Sequence, residues 1–259
     1  MRTLLYHDVA PRPEWPITGF PGGDADVYKL EPEAFDRHLS ALATIAVPPK
    51  LVGATDVPTW ALTFDDGGDT ALSRIAPALE TRGWRGHFFV TGGRIDTPGF
   101  LTGDGIRELA ARGHVIGSHS MTHPLVMSGC SRERLLSEWR ESVEVLADVL
   151  GYRPQVASLP GGAFSREVAA TAAAAGIRIL FTSEPTAKTW QEGGLTCAGR
   201  FTVWNRMPPS TALGLATGRG LSAIRQRTFW ETKKLTKTLL GARYLALRKR
   251  LLESQKPAA

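Results

Sequence analysis

Short apolar runs alternate along the chain with longer stretches whose apolar residues recur at helical spacing. We predict strands at RTLLY (2–6), TWALTF (59–64), GHFFVT (86–91), HVIG (114–117), QVASL (155–159), IRILF (177–181) and RFTVW (200–204). We predict helices over about 32–45, 70–82, 104–112, 131–150 and 165–175. Ser131 and Ser165 are the expected N-caps of the last two helices, and Gly151 and Gly176 are their expected ends. Strand–helix alternation of this kind predicts an α/β fold with a parallel sheet and crossover helices.

Two segments rich in proline and glycine, 10–25 and 205–220, are predicted as loops. The first follows the first strand, so it forms either a wall of a cleft or a solvated connector without a catalytic part. In folds with parallel strands, catalytic groups gather where strands end and loops begin. We therefore expect catalytic groups at the carboxyl ends of the predicted strands.

The net charge of +6 is unevenly distributed. Residues 218–259 contain eleven Lys or Arg against two Glu, so the rest of the chain carries −3. Apolar residues also recur at helical spacing in this tail, at Leu235, Leu239, Leu240, Tyr244, Leu247 and Leu251. We predict that 206–259 is a basic helical C-terminal extension, which either packs across the main domain or lies on anionic lipid. Because the main body is not basic, no nucleic-acid partner is expected.

The chain shows no signal-peptide pattern and no run of about 18 apolar residues that could span a bilayer. The expected location is therefore the cytoplasm. Cys130 and Cys197 are the only cysteines and have no CxxC spacing, so we expect two reduced thiols.

Two strand ends carry the residue types of a metal-dependent hydrolase. TFDDGGD (63–69) places Asp65 and Asp66 side by side after a strand, and HSMTH places His119 and His123 four residues apart after another. On a helical turn, that spacing brings two imidazoles within reach of one ion. A divalent cation would relieve the repulsion between the carboxylates, because one could bind it while the other acts as a base. The alternative is that both histidines are ordinary loop residues.

The segments LTFDDGG, GHFFVT, GHVIGSHSMTHP and LPGG, in this order, resemble the polysaccharide deacetylase family, the NodB-type carbohydrate esterases. The resemblance covers about residues 1–205, which it implies to be the catalytic domain. It implies a distorted (β/α) barrel of about seven parallel strands that removes N-acetyl groups from amino sugars with one divalent metal ion. Zinc is the expected ion, with nickel and cobalt as alternatives.

The resemblance also implies individual roles. Asp66, His119 and His123 would hold the metal, and Asp65 would be the general base that deprotonates the water held there. The backbone N–H of Gly161 would stabilise the oxyanion, with Pro160 lining the substrate site beside it.

The chain departs from the commonest family pattern in its general acid, which is usually a histidine on a late strand. No histidine follows His123, but LLYHDV places His7 at the end of the first strand. A circularly permuted branch, resembled by deacetylases of poly-β-1,6-N-acetylglucosamine, has this motif at the N-terminus. His7 is therefore the candidate acid. The alternative is a histidine that merely ends a strand.

A second departure concerns the arginine that usually orients the base, since Ser158 stands at that position. Arg200, at the start of the last predicted strand, is the candidate replacement that would keep Asp65 ionised. The alternative is an ordinary surface arginine. Trp204, at the end of the same strand, is either a platform on which a sugar stacks or a core or rim residue.

These observations predict a metal-dependent N-deacetylase of an amino-sugar glycan or glycolipid precursor, cytoplasmic and peripheral at the inner membrane face. One alternative is an O-acetyl esterase or cyclic-amide hydrolase of the same fold. Another is a catalytically weak carbohydrate-binding homologue.

Overall fold

The computed structural model describes residues 1–52 and 59–240. Its strands are β1 (Arg2–Tyr6), β2 (Trp60–Phe64), β3 (His87–Val90), β4 (Val115–Ser118), β5 (Val156–Ser158), β6 (Ile179–Phe181), β7 (Thr189–Glu192), β8 (Leu195–Ala198) and β9 (Phe201–Thr202). Its helices are α1 (Gly23–Asp26), α2 (Pro32–Leu42), α3 (Ala76–Glu80), α4 (Gly103–Ala111), α5 (Arg132–Leu150), α6 (Arg166–Ala174), α7 (Pro209–Thr217) and α8 (Ser222–Leu240). A π-helical turn, Ala71–Ile75, leads into α3.

All the strands form one sheet in the order β7-β8-β6-β5-β4-β3-β2-β1-β9. Every neighbouring pair is parallel except β7 and β8, which form an antiparallel hairpin. β8 pairs with β6, and β9 pairs with β1, yet only Gly199 and Arg200 separate β8 from β9. This single stretch of chain therefore joins the two ends of the curled sheet. The predicted α/β fold, a distorted barrel of the NodB type, is confirmed.

Helices cover the outside of the sheet and bury its apolar face. One core cluster lies where α2, α3, α4 and α7 pack on β1 to β3, and it contains Leu4, Tyr6, Phe35, Phe64 and Leu215. A second lies where α5 and α6 pack on β5, β6 and β8. Side chains this deeply buried each contribute about 1.5–3 kcal/mol relative to exposure. The loops at the carboxyl ends of the strands are thus mounted on a rigid frame.

The predicted helix boundaries are accurate to a few residues, and Ser131 and Ser165 cap α5 and α6 through hydrogen bonds to Arg134 N and Val168 N. The predicted strands all exist, although β9 is only Phe201–Thr202. The β7–β8 hairpin was not predicted. Its sequence carries the signal of a turn, Gly193–Gly194, between two runs of alternating residues.

The prediction of a loop over 205–220 is wrong for residues 209–217, which form α7. Proline occupies the first turn of this helix, where its missing N–H is harmless, and Gly218 ends the helix at φ 77°. Ala212 and Leu215 are completely buried in the main core. The proposed domain boundary at residue 205 stays a prediction, but packing in the described part of the chain continues beyond it.

The basic tail begins as α8, in which Ile224 and Phe229 are 60% and 70% exposed. Residues 241–259 lie outside the described residues. The predicted pattern of leucines and basic residues there therefore stays a prediction. Among the described residues, no helix has the length and apolarity needed to cross a bilayer.

Candidate active site

The two adjacent aspartates follow β2 in a turn that separates their side chains. Asp65 N donates to Tyr6 O, which keeps the chain in register with β1 as the strand ends. Asp66 then has φ 74°, a left-handed conformation that non-glycine residues rarely adopt. Gly67 continues at φ 81°, and a Cβ there would lie 3.0 Å from Val90 Cα. Strained backbone of this kind persists where the surroundings impose it and clusters at functional sites.

Asp65 is held by the buried guanidinium of Arg200. Arg200 Nη1 and Nη2 donate to the two carboxylate oxygens at 2.7 and 2.8 Å, and Nε donates to Thr182 O at 2.9 Å. Both side chains are almost completely inaccessible. Burial acts to raise the pKa of Asp65, but the charge and hydrogen bonds of Arg200 outweigh it and hold the pKa below its ordinary value. Asp65 is therefore a fixed, ionised carboxylate.

Asp66, His119 and His123 converge on one point. Asp66 Oδ1 lies 3.4 Å from Nε2 of each histidine, and one potential ligand atom of each residue lies within 4.8 Å of the others. Burial acts to raise the pKa of Asp66, but the hydrogen bonds from both imidazoles hold it well below its ordinary value. Two imidazoles and a carboxylate with room for further ligands form the donor set of a catalytic metal site.

The tautomer of His119 also suits a metal ligand. Its Nδ1 lies 3.1 Å from Ser158 O, so the N–H donates to this carbonyl, and Ser158 Oγ lies 2.5 Å from the same nitrogen. With the proton on Nδ1, as metal binding requires, the lone pair of Nε2 would be free to bind an ion at the shared point. Metal-binding histidines are commonly oriented in this way by a second partner. Ser158, which stands where the family usually has arginine, thus contacts a metal-ligand candidate.

The HSMTH segment is not the helical turn that its spacing predicts. Ser120 and His123 have φ 63° and 58°, so the backbone turns through two left-handed residues instead. Glu138 of α5 holds this shape, since its buried carboxylate accepts hydrogen bonds from Met121 N, Thr122 N and Thr122 Oγ1. Pro124 explains part of the difference, because it disfavours helical geometry at His123. Glu138 was not predicted from the sequence, because its polar side chain lies on the buried face of α5.

His7 follows β1, whose last residue Tyr6 pairs with Phe64, so it lies beside Asp65 across the sheet. Its half-buried ring stacks on Tyr28 with 4.9 Å between centroids, and its buried Nδ1 contacts no protein donor or acceptor in the described structure. Burial lowers the pKa of His7, while the charges of Asp66 and Asp65 partly oppose this. Tyr28, which no sequence motif marked, thus fixes the plane of the candidate acid.

The remaining predicted site residues lie on two other strand ends. Pro160–Gly162 form a tight turn after β5, in which Gly161 has φ 64°. A Cβ at Gly161 would lie only 2.2 Å from Leu125 O, so the position requires glycine. Pro160 is buried. Trp204 follows β9 and is 36% exposed, so it is not a core residue.

The loop after β1 forms a wall of the site rather than a solvated connector. The buried Lys29 Nζ donates to Trp15 O and Thr18 O and so anchors this loop. Phe20, which follows, places its ring centroid 4.6 Å from that of His123. This contact was not foreseen from the sequence.

Comparisons with known proteins show which family the sequence and the fold are similar to. The sequence model for the polysaccharide deacetylase family matches residues 52–180. The chitooligosaccharide deacetylase of Rhizobium leguminosarum bv. trifolii is 31% identical over 140 residues, which cover 52% of this chain and 60% of that protein.

Two solved structures share the fold. The deacetylase PplD of Streptococcus pyogenes, in complex with acetate, superposes with a TM-score of 0.65 at 19% identity, covering 83% of this chain and 97% of that one. IcaB from Ammonifex degensii gives 0.64 at 21% identity, covering 83% and 95%.

The matched part spans about half the length of the first curated relatives, from 47% to 60%. It contains the Asp65–Asp66 pair and both histidines of HSMTH, whereas His7 and Arg200 lie on either side of it. The matching family model and the curated relatives identify residues 52–180 as a polysaccharide deacetylase domain, and the solved structures show that the chain shares its fold with deacetylases.

Proposed function

We propose that this protein is a metal-dependent N-deacetylase of amino-sugar glycans. The observation that carries this proposal is the division of labour between the two aspartates. Asp66 faces His119 and His123, whereas both carboxylate oxygens of Asp65 accept hydrogen bonds from the Arg200 guanidinium. One carboxylate thus belongs to a cation-binding set and the other stays available as a base beside it.

Asp66, His119 and His123 would hold the ion, with zinc as the first expectation and nickel or cobalt as alternatives. A divalent ion at such a site polarises a carbonyl oxygen and lowers the pKa of water towards 7. The donor set fits this use, since Nδ1 of His119 contacts Ser158 O, an acceptor that favours the proton on this nitrogen, and the low pKa of Asp66 keeps its carboxylate ionised.

Asp65 would accept the proton of the attacking water. Its Oδ2 lies 3.9 Å from His119 Nε2, so the carboxylate borders the metal-binding set without belonging to it. Arg200 fixes the plane of the carboxylate through two hydrogen bonds and keeps it ionised before the reaction. Arg200 is in this account a positioning residue that replaces the arginine absent at Ser158.

His7 would protonate the departing amine. Its place beside Asp65 at the end of β1 and its stacking on Tyr28 put an orientable imidazole at the same edge of the sheet. An amine is a poor leaving group until it gains a proton, so amide hydrolysis needs this second group. The N–H of Gly161 would stabilise the oxyanion, and Pro160 and Trp204 would contact the sugar.

The substrate class follows from the relatives, which include a chitooligosaccharide deacetylase, a chitin deacetylase and peptidoglycan N-acetylglucosamine deacetylases. We propose an N-acetylated glycan or glycolipid precursor as substrate. O-acetyl ester hydrolysis, hydrolysis of a cyclic amide and simple carbohydrate binding are the rival functions.

Acetate release should be measured from N-acetylglucosamine tetramers and from O-acetylated xylotetraose, with Asp65→Asn as the matched inactive variant. Metal-dependent release from the N-acetyl oligomer that is lost in Asp65→Asn would support the proposal. Release from the O-acetyl oligomer alone would establish an esterase instead. Binding of both oligomers without release from either would leave a carbohydrate-binding protein.

We further propose a cytoplasmic protein that touches the inner membrane face through α8. This helix exposes the apolar Ile224 and Phe229 together with Arg225 and Arg227. Exposed apolar and basic side chains on one helix suit an anionic lipid surface. Co-sedimentation with vesicles should therefore increase with the fraction of anionic lipid, and should fall for Phe229→Ser. Equal sedimentation with neutral and anionic vesicles would remove the proposal.

A further inference from the structure

A cation–aromatic cluster beside His123 has no part in the mechanism above. It consists of Phe20, Phe100 and Arg94. The Phe20 ring lies edge-on to Phe100 with 5.1 Å between centroids, and Arg94 Cζ lies 5.4 Å from the Phe20 centroid and 5.7 Å from that of Phe100. Both distances are within the range at which a guanidinium is attracted by an aromatic face.

This cluster borders the candidate metal centre. The ring centroid of Phe20 lies 4.6 Å from that of His123 and 5.4 Å from Arg94 Cζ. Arg94 Cζ is therefore at most about 10 Å from the centre of the His123 ring. Arg94 also belongs to the turn that follows β3, at the same edge of the sheet as both metal-binding segments. It is therefore within reach of a substituent on a sugar next to the one being deacetylated.

The backbone around Arg94 is tied to the site on two sides. Gly92 N and Gly93 N donate to Ser120 O and Met121 O, between the two histidines. Farther along, Leu101 N donates to Gly67 O, directly after the aspartate pair. The position of Arg94 is thus fixed by the same contacts that fix the metal-binding segments, so little ordering is needed when a ligand binds.

Arg94 is one of the arginines in the described part of the chain that have no carboxylate partner. Arg12, Arg74, Arg82 and Arg112, by contrast, each pair with a carboxylate. Within residues 1–52 and 59–240 Arg94 makes no ion pair, and it is exposed to solvent. Its guanidinium is held against two rings while its hydrogen-bond donors stay available. A planar fork of this kind suits a carboxylate or a phosphate.

We propose that Arg94, seated on Phe20 and Phe100, forms a subsite for an anionic substituent of the glycan, a carboxylate or a phosphate. This inference rests on the proposed function for the identity of the ligand as a glycan. It makes Arg94 a specificity-determining residue that selects acidic over neutral oligosaccharides.

The test measures binding without turnover, in the Asp65→Asn background, by calorimetry. The carboxylate probe is a β-1,4 tetrasaccharide of N-acetylglucosamine in which alternate sugars carry a lactyl carboxylate, and its methyl ester is the neutral match. We expect the acid to bind about tenfold more tightly than the ester, as for a hydrogen-bonded charge pair. This preference should weaken as salt concentration rises.

Three variants assign the preference to Arg94. Arg94→Gln should abolish it, and Arg94→Lys should retain part of it. Arg178→Gln, at an exposed arginine before the amino end of β6, should retain all of it. Equal binding of acid and ester to the parent protein, together with no preference for the phosphate probe described below, would overturn the subsite. An unchanged preference in Arg94→Gln would also overturn it. Melting temperatures of all variants identify any that fail to fold. If Arg94→Gln fails to fold, the acid-to-ester preference of Arg94→Lys decides the assignment.

A phosphate arm distinguishes the source of the anion. Binding of N-acetylglucosamine 6-phosphate is compared with binding of N-acetylglucosamine. If the parent protein prefers the phosphate, shows no preference for the carboxylate probe, and loses the phosphate preference in Arg94→Gln, the subsite binds phosphate. Failure of the proposed function has a different signature. In that case no oligomer releases acetate from the wild-type protein, while the acid-to-ester ratio in binding still depends on Arg94.

Discussion

The six histidines of this chain fall into two groups of three. His38, His87 and His114 lie in the packing layers, whereas His7, His119 and His123 follow the carboxyl ends of strands. Members of both groups are buried, so burial alone does not separate them. The two groups differ in what their ring nitrogens contact.

In the packing group, both nitrogens of each ring have a protein partner. His87, for example, lies 3.0 Å from Leu62 O through Nδ1, and its Nε2 accepts from Val52 N at 2.9 Å. In the other group, Nε2 of His119 and of His123 is directed at the Asp66 carboxylate, and the buried Nδ1 of His7 contacts no protein group in the described residues. Two imidazole nitrogens that converge on one buried carboxylate are what a metal site requires.

The largest effect is expected from His119→Ala. Loss of one of three protein ligands should remove bound zinc and lower kcat/KM for acetate release at least about a thousandfold, as for other members of a catalytic unit. His38→Gln is the matched control from the packing group and should keep one ion per chain. Atomic spectroscopy measures the zinc bound per chain. Equal loss of zinc in both variants would contradict the distinction between the two groups of histidines.

A smaller loss is expected from His7→Ala, because its role is proton donation and not metal binding. We expect about a hundredfold lower kcat on N-acetyl oligomers with metal content unchanged. Hydrolysis of 4-nitrophenyl acetate should fall much less, since its leaving group departs without a proton. An equal loss on both substrates would show that His7 is structural.

Ser158→Ala tests the contact that fixes the His119 tautomer. The carbonyl of residue 158 remains, but Oγ, 2.5 Å from Nδ1, is lost. We expect about tenfold weaker zinc affinity, the lower end of the range for such supporting partners. Competition with a fluorescent chelator measures it, and Ser73→Ala, at an exposed serine, is the control. Unchanged affinity would mean that the carbonyl alone orients the ring.

The smallest effect on activity is expected at His87, whose pKa burial lowers to about 4. The folded-state pKa lies below the unfolded value of about 6.5, so the stability from the neutral ring is present above pH 6.5 and is lost as pH falls towards 4. This group should contribute a slope of up to about 1.4 kcal/mol per pH unit to the free energy of unfolding over that range. Urea unfolding at pH 7 and 4.5 measures it.

His87→Gln should have a shallower pH dependence of stability than wild type, with kcat/KM at pH 7 unchanged. Glutamine can donate and accept like the neutral ring but does not titrate. A variant with the same slope as the wild type would show that other groups account for the acid sensitivity.

Much of the fold was predictable, because strand and helix periodicity is a local property of the sequence. The Asp66, His119 and His123 cluster was also predictable, since carboxyl ends of parallel strands meet at one edge. The prediction that Arg200 approaches Asp65 agrees with the observed contact, although the catalytic roles stay predictions.

Other contacts could not be read from the sequence, because they depend on loops that pack across the sheet. Phe20 and Tyr28 belong to a loop whose path is set by Lys29, a buried lysine with no sequence signature. The shape of HSMTH depends on Glu138, from a helix that begins farther along the chain. The helical turn expected from the spacing was therefore wrong, although the imidazoles still converge.

The most direct test of the central claim measures zinc stoichiometry and acetate release together, on wild-type protein and Asp65→Asn, with N-acetylglucosamine tetramers. If Asp66 belongs to the metal site and Asp65 is the separate base, both proteins bind one ion per chain and only the wild type releases acetate. Loss of zinc from Asp65→Asn, or equal release by both proteins, would contradict the division of roles between the two aspartates.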